Sequence, residues 1–298
     1  RNVGGDDTRA NIEIDTAGSV MTGAINAGVT DAALLGSLTV GGGTTPDTVT
    51  FGGEVVADAI DVVSNTAIST GDLTALATDV SLDAGTRIST QNVIAEGDAM
   101  LDAGTSIEFA TVMAGDNASL DAGTFIDGGS VTAGIDAILD AGTTIATGAV
   151  SAADDVAVTS ADRMTLASVT ADSDGSGVGS VSLSSTDGPL TVSGATSGVT
   201  VNVASGGNAT LGFDGGVLSL TRSTGGLLEV DAAGTIRTGQ IQATGGNAEL
   251  TSSTASITTD SVSATGDAVL DAETSISSQN ISAGRDVLKT AGTSVSTQ

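Results

Sequence analysis

Apolar residues along the chain recur in short stretches of period-two alternation, broken at regular intervals by Asp-Ala-Gly-Thr or Gly-Asp. The pattern has a period of 19: Leu82-Asp83-Ala84-Gly85-Thr86 returns as Leu101-Asp102-Ala103-Gly104-Thr105 and again at 120–124 and 139–143. Four copies in one register mark an internal repeat. Each copy is followed by an Ile (Ile88, Ile107, Ile126, Ile145), five residues on by a Val (Val93, Val112, Val131, Val150) and two further on by an Ala (Ala95, Ala114, Ala133, Ala152). An Asp or Asn then precedes the next copy: Asp79, Asp98, Asn117, Asp136 and Asp155. The unit returns in degraded form from Leu270 through Ile276, Ile281 and Asp286, and fainter traces lie at Val20, Ile25, Ile68 and Leu73. Most of the chain is one array.

Within the unit, Ala99-x-Leu101, Ile107 and Val112-x-Ala114 read as three short strands separated by three turns. Glycines at fixed places inside the unit, its β-branched content and the lack of an i, i+3, i+4, i+7 stripe exclude a helical repeat. The Leu-x-x-Leu-x-Leu pattern of leucine-rich repeats is also missing. Three strands closing every 19–20 residues predict an all-β fold, one coil of a parallel β-helix per unit. At an inter-strand spacing of about 4.8 Å, roughly 15 coils would stack into a solenoid on the order of 70 Å long. Leu101, Leu120 and Leu139 are expected in one inward column, and Ile107, Ile126 and Ile145 in another. Residues 34–61 and 172–229 depart from the register and hold both prolines, Pro46 and Pro189. Because proline cannot donate to a central ladder, longer turns or irregular coils are expected there. With no separating linker, a single domain over 1–298 is expected.

Composition narrows the chemistry. The 298 residues include no His, Cys, Trp or Tyr, which removes Ser-His-Asp and Cys-His nucleophiles and every His- or thiolate-ligated metal site. The net charge of -28 repels nucleic acid and anionic lipid. A 39% hydrophobic content and a mean hydropathy of +0.26 exclude disorder. No apolar run reaches the ~18 residues of a membrane span, so membrane insertion is not expected. The sequence opens on Arg1 with no signal-peptide pattern before it, and a processed chain or a segment of a longer surface protein is expected.

The unit Ala95-Glu96-Gly97-Asp98-Ala99-Met100-Leu101-Asp102-Ala103-Gly104-Thr105, with Ile107 and Val112 following, resembles the shaft repeats of filamentous-haemagglutinin-like exoproteins, the adhesins of two-partner secretion. The resemblance spans about two-thirds of the chain. It implies a right-handed parallel β-helix, an extracellular or cell-surface location, and an elongated adhesive shaft with no catalytic residues in its repeats. The Asn-Pro motifs of that family's secretion domain have no counterpart, since neither proline follows an Asn.

Candidate sites are few. The column Asp83, Asp102, Asp121, Asp140 would stack at about 4.8 Å, a spacing at which carboxylates raise one another's pKa or recruit a cation such as Ca²⁺. The structural alternative is stronger: Asp opens each Asp-Ala-Gly-Thr turn and accepts backbone N–H groups, while Gly takes a positive φ. The second column, Asp79, Asp98, Asp136 and Asp155, accepts Asn117 in register, which also favours a turn role. Asp172-Ser173-Asp174-Gly175 has the look of a calcium loop, making Asp172 and Asp174 weak candidates for metal binding. The EF-hand's later ligands and the calcium β-roll nonapeptide are both absent. Gly175-x-Gly177-x-Gly179 lacks the βαβ setting of a dinucleotide fingerprint, and Lys289-Thr290 lacks the glycine of a P-loop. Thr86, Thr105, Thr124 and Thr143 lack the second Thr row of an ice-binding face.

The expected function is a non-catalytic structural or adhesive shaft that meets a host or cell-surface receptor and has no cofactor. The first rival is a self-assembling filament or surface-layer subunit joined through its coil ends. A β-helical polysaccharide-processing enzyme is disfavoured, because sugar clefts offer aromatic faces and this chain has four Phe with no Trp or Tyr.

Overall fold

In the computed structural model, residues 11–27, 36–213, 217–225, 228–232 and 234–297 are described. All regular structure among them is β, in parallel strands stacked as a β-solenoid with about 19 residues per turn. Among the described residues, no helix is long and apolar enough to cross a membrane. Two compact units divide the chain, residues 1–142 and 143–298.

In the first unit, strands Val80–Ala84, Ala99–Ala103, Ala118–Ala122 and Ala137–Ala141 pair in parallel with equivalent residues aligned: Leu82 with Leu101, Leu101 with Leu120, Leu120 with Leu139. Alternation decides the faces. Ala99, Leu101 and Ala103 point inward and are buried, while Met100 and Asp102 point outward. Ile68, Ile88, Ile107 and Ile126 form the second aliphatic column, and Leu73, Val93, Val112 and Val131 the third. In the second unit, Ile236, Ile257 and Ile276 stack in the same way, as do Val230, Leu250 and Leu270. Ile145, expected in the isoleucine column, is buried and pairs with Met164.

The expected three strands are separate in the coil of Arg87–Ser89 and Asn92–Ala95, but both of these pair with the single nine-residue strand Ser106–Ala114. The third corner survives there as a bend. Ile107 and Phe109 face inward, Ala110 and Thr111 both stay outside the core, and Val112 and Ala114 face inward again. Two consecutive outward residues shift the alternation by one, which re-aims the strand without breaking its ladder.

The two off-register regions keep their strands in the stack and place the surplus residues in corners. Leu38–Val40 pairs with Ile60–Ser64, and Thr48–Phe51 with Ala67–Ser69, so residues 36–61 contribute inward Leu38, Val40, Val49 and Val55 like any other coil. Their extra length is the corner 41–47, which ends just after Pro46. Residues 171–179 form a second long corner, and the pairing of Thr200–Ser205 with Val217–Gly225 carries a register shift between Val201 and Asn202. Residues 34 and 35, and 214–216, 226 and 227, lie outside the described set. About 13 turns of solenoid are present among the described residues.

One expectation is corrected. The glycines of the Asp-Ala-Gly-Thr turns do not have positive φ; among the described residues, Gly41, Gly175, Gly177 and Gly179 do. What excludes a side chain at Gly104 and Gly123 is the coil beneath: a Cβ on Gly104 would collide with the carbonyl oxygen of Gly85, and one on Gly123 with that of Gly104. Gly128 is required for a different close approach, because the Phe109 ring of the preceding coil fills the space a Cβ would take.

Two outcomes follow from these contacts. Leu120 is 1% exposed, so Leu120→Asp should cost about 4 kcal/mol or more by burying an unpaired charge, whereas outward Ser119→Asp should stay within about 0.5 kcal/mol. Equal shifts of the urea midpoint for the two variants would refute the face assignment. Gly123→Ala should cost about 1–3 kcal/mol by overpacking, and a midpoint unchanged from wild type would show that the backbones are not in this contact.

Candidate functional site

The acidic columns are the only recurrent charged chemistry in the repeat, and the fold separates them into two kinds. The column that precedes each strand is a clamp between coils. Asp79 Oδ1 accepts the N–H of Asp98 at 2.9 Å, Asp98 Oδ1 accepts the N–H and the side-chain amide of Asn117 at 2.9 and 3.0 Å, and Asn117 Oδ1 accepts the N–H of Asp136 at 3.3 Å. The second unit repeats the device: Asp155 Oδ1 accepts the N–H and hydroxyl of Ser180, Asn247 Oδ1 the N–H of Asp267, and Asp267 Oδ1 the N–H of Asp286. Each oxygen satisfies a corner donor that the ladder leaves open. Asn serves as well as Asp because the working atom is an acceptor, not a charge.

Asp83, Asp102, Asp121 and Asp140 behave differently from the expected turn openers. Each is the fourth residue of a five-residue strand, outward and exposed, and adjacent members lie in direct register. The turn that follows is tied to the preceding coil without the aspartate: Gly104 N–H donates to Ala84 O at 3.0 Å and Thr105 N–H to Thr86 O at 2.7 Å. The Thr105 hydroxyl also donates to Thr86 O, so the threonine column is likewise a coil-to-coil bond. With their carboxylates free of the turn, these aspartates form a ladder of like charges. Partial burial, then the neighbouring charges of Asp121 and Asp83, push the Asp102 carboxyl above its ordinary pKa; burial and Asp83 do the same to Asp61.

Asp172 and Asp174, the weak metal candidates, share the corner 171–179. Asp172 has φ 58°, and its Oδ1 accepts the N–H of Gly177 at 2.9 Å and the hydroxyl of Ser176 at 3.2 Å. Asp174 Oδ1 accepts the N–H of Ser176 at 3.0 Å, and this bond holds its carboxyl below the usual pKa. Both carboxylates brace their own loop. Among the described residues, no group of three or more acidic side chains is arranged to hold a metal ion.

Two features escaped the sequence reading. Lys289 stands in register with Leu270, in the leucine column, and its Nζ reaches the hydroxyls of Ser278 at 2.9 Å and Thr297 at 3.2 Å. Those hydroxyls belong to an inward column, Thr238, Thr259, Ser278 and Thr297. The signal was a Lys where the aligned repeat has Leu. The second feature is a set of outward apolar side chains on one corner of the first unit, legible only once inward and outward faces are known.

Comparison with protein-family models, with curated proteins and with solved structures returned no match.

Partial burial, reinforced by neighbouring carboxylates, at Asp102 and Asp61 makes stability depend on pH in an unusual direction. Asp102 and Asp61 have raised pKa values in the fold, so the stability tied to their protonation is fully present below the unfolded value near 3.9 and is lost as pH rises through the folded one. Asp15, lowered by N–H bonds from Gly43 and Thr44, and Asp174 act oppositely, losing their contribution as pH falls below that value. Thermal stability should therefore rise as pH is lowered from 7 toward about 4, then fall. Asp102→Asn should raise stability at pH 7 by no more than about 0.5 kcal/mol, since solvent screens exposed charges, and should flatten the rise. A melting temperature lowered by that substitution at pH 7 would contradict the ladder's repulsion.

Proposed function

We propose that this chain is a structural, adhesive shaft of a bacterial surface exoprotein, displayed outside the cell, non-catalytic, and reaching a receptor on a host or cell surface. The observation that carries this reading is where the polar chemistry goes. The aspartates, asparagines and threonines that recur along the first unit bond one coil to the next, and the remaining recurrent carboxylates line up as a ladder without converging on a point. Catalysis needs groups from different elements brought to one reacting atom; a shaft needs the same bond repeated. The parallel stacking and the likeness of the repeats to haemagglutinin-type shafts agree with this use.

A self-assembling filament or surface-layer subunit is the second reading. In its favour, any coil end left uncovered offers strand edges for further pairing.

Immunogold electron microscopy of intact source cells should place the chain on the outer surface, and label confined to the cell interior would overturn the shaft reading. Sedimentation of the purified chain across NaCl and CaCl₂ series separates the two readings: a monomer throughout supports the shaft, and polymers growing with ionic strength, as repulsion is screened, support the filament.

A further inference from the structure

Six large apolar side chains stand exposed on the same corner of successive coils in the first unit: Leu76, Ile94, Met100, Met113, Ile135 and Ile138. Ile94 and Met113 lie in direct register on the outer face just before the corner alanines Ala95 and Ala114. Leu76 and Ile135 sit in the corner itself. Met100 and Ile138 are the second residues of the strands that leave it, facing outward. The position of Ile94 and Met113 is polar in the second unit, where Gln242, Ser263 and Ser282 precede the corner alanines Ala243, Ala264 and Ala283 in register, although the position of Met100 carries Val269 and Leu288 there. The solenoid therefore does not need apolar residues at the position of Ile94 and Met113. Exposed apolar side chains gathered on one corner of successive coils, unlike single scattered ones, mark a contact surface, and methionine adapts its shape to a partner.

Charge identifies the partner. Two residues beyond Met100 and Ile138 on their strands come Asp102 and Asp140 of the carboxylate ladder, and Glu96, Asp98, Asp116 and Asp136 occupy the corner. Between residues 73 and 142 the one basic residue is Arg87, which is paired with Glu108 on a different strand. A second copy of this chain would bring carboxylates against carboxylates, and anionic lipid or nucleic acid meets the same repulsion. We propose that this corner is a docking surface for a basic, amphipathic segment of a partner protein, with apolar side chains seated on Ile94, Met100 and Met113 and Lys or Arg facing the Asp102, Asp121, Asp140 ladder. Such a corner serves a surface shaft and a freely secreted chain alike, so it stands apart from the reading of where the protein is displayed.

The test uses the full chain and two labelled synthetic peptides of equal length and charge, one alternating Leu and Lys, the other alternating Ser and Lys, with binding read by fluorescence anisotropy at low and high NaCl. The Leu/Lys peptide should bind at least about tenfold more tightly than the Ser/Lys peptide, and its affinity should fall with salt. The double variant Ile94→Ser/Met113→Ser, which installs hydroxyl residues like those the second unit carries there, should reduce Leu/Lys binding to the Ser/Lys level with an unchanged circular dichroism melt. Met21→Ser, removing an exposed methionine on another strand (81% exposed), should leave binding unchanged. Equal binding of the two peptides, no binding of either, or an effect of Met21→Ser matching that of the double variant would overturn the proposal. Sedimentation showing the wild-type chain dimerising and the double variant monomeric would also overturn it, in favour of a second copy.

Discussion

Stacking each residue on its own equivalent one coil away is the constraint from which the rest of the structure follows. Backbone donors and acceptors pair from coil to coil, so that Leu101 lies between Leu82 and Leu120, and Gly104 lies on the carbonyl of Gly85. A residue type that packs well against itself at about 4.8 Å is favoured along the whole column, and one that does not is excluded along it. Aliphatic ladders, turn glycines and acceptor clamps are three results of this one rule. Aromatics are rare for the same reason. Where Phe109 enters the core, the next coil must give up its side chain, as Gly128 does.

The rule also creates a conflict. An outward aspartate repeated in register becomes a column of like charges, and nothing in strand geometry lets adjacent members move apart. At Asp102 the charges of Asp121 and Asp83 add to partial burial, the larger cause, in raising the carboxyl's pKa. The clamp column escapes the conflict because each carboxylate there is neutralised in part by an N–H from the next coil, and because Asn117 interrupts the charge while keeping the acceptor. Two columns of one amino-acid type thus have opposite energetic roles a few residues apart.

Surface chemistry follows the same division between inside and outside. The interior and the corners are occupied by bonds that hold coils together, which leaves the outward strand positions as the surface free to differ between coils. At the position before the corner alanine, the first unit uses that freedom for Ile94 and Met113, and the second for Gln242, Ser263 and Ser282. A repeat scaffold can vary these positions at little cost to its stack.

The 19-residue register, the all-β class and the inward columns Leu101, Leu120, Leu139 and Ile107, Ile126 were legible in the sequence, because alternation is a local property and repetition shows which phase faces the core. The extra residues around Pro46 and Asp172 were legible as longer turns for the same reason. What remained hidden depended on atoms a full coil away. The sequence shows Gly in every turn, but only the stacked backbone reveals that a carbonyl, not a left-handed φ, requires it. It shows two aspartates per unit, both beside a glycine or a turn, but only the tertiary structure decides that Asp98 reaches the next coil while Asp102 faces water. Likewise Ile94 and Met113 read as ordinary apolar residues until strand phase places them outside. The sequence by itself determined the period and the core, since both follow from short-range pattern; the tertiary structure decided what each polar residue does, since its partner lies one coil away and not beside it in the chain.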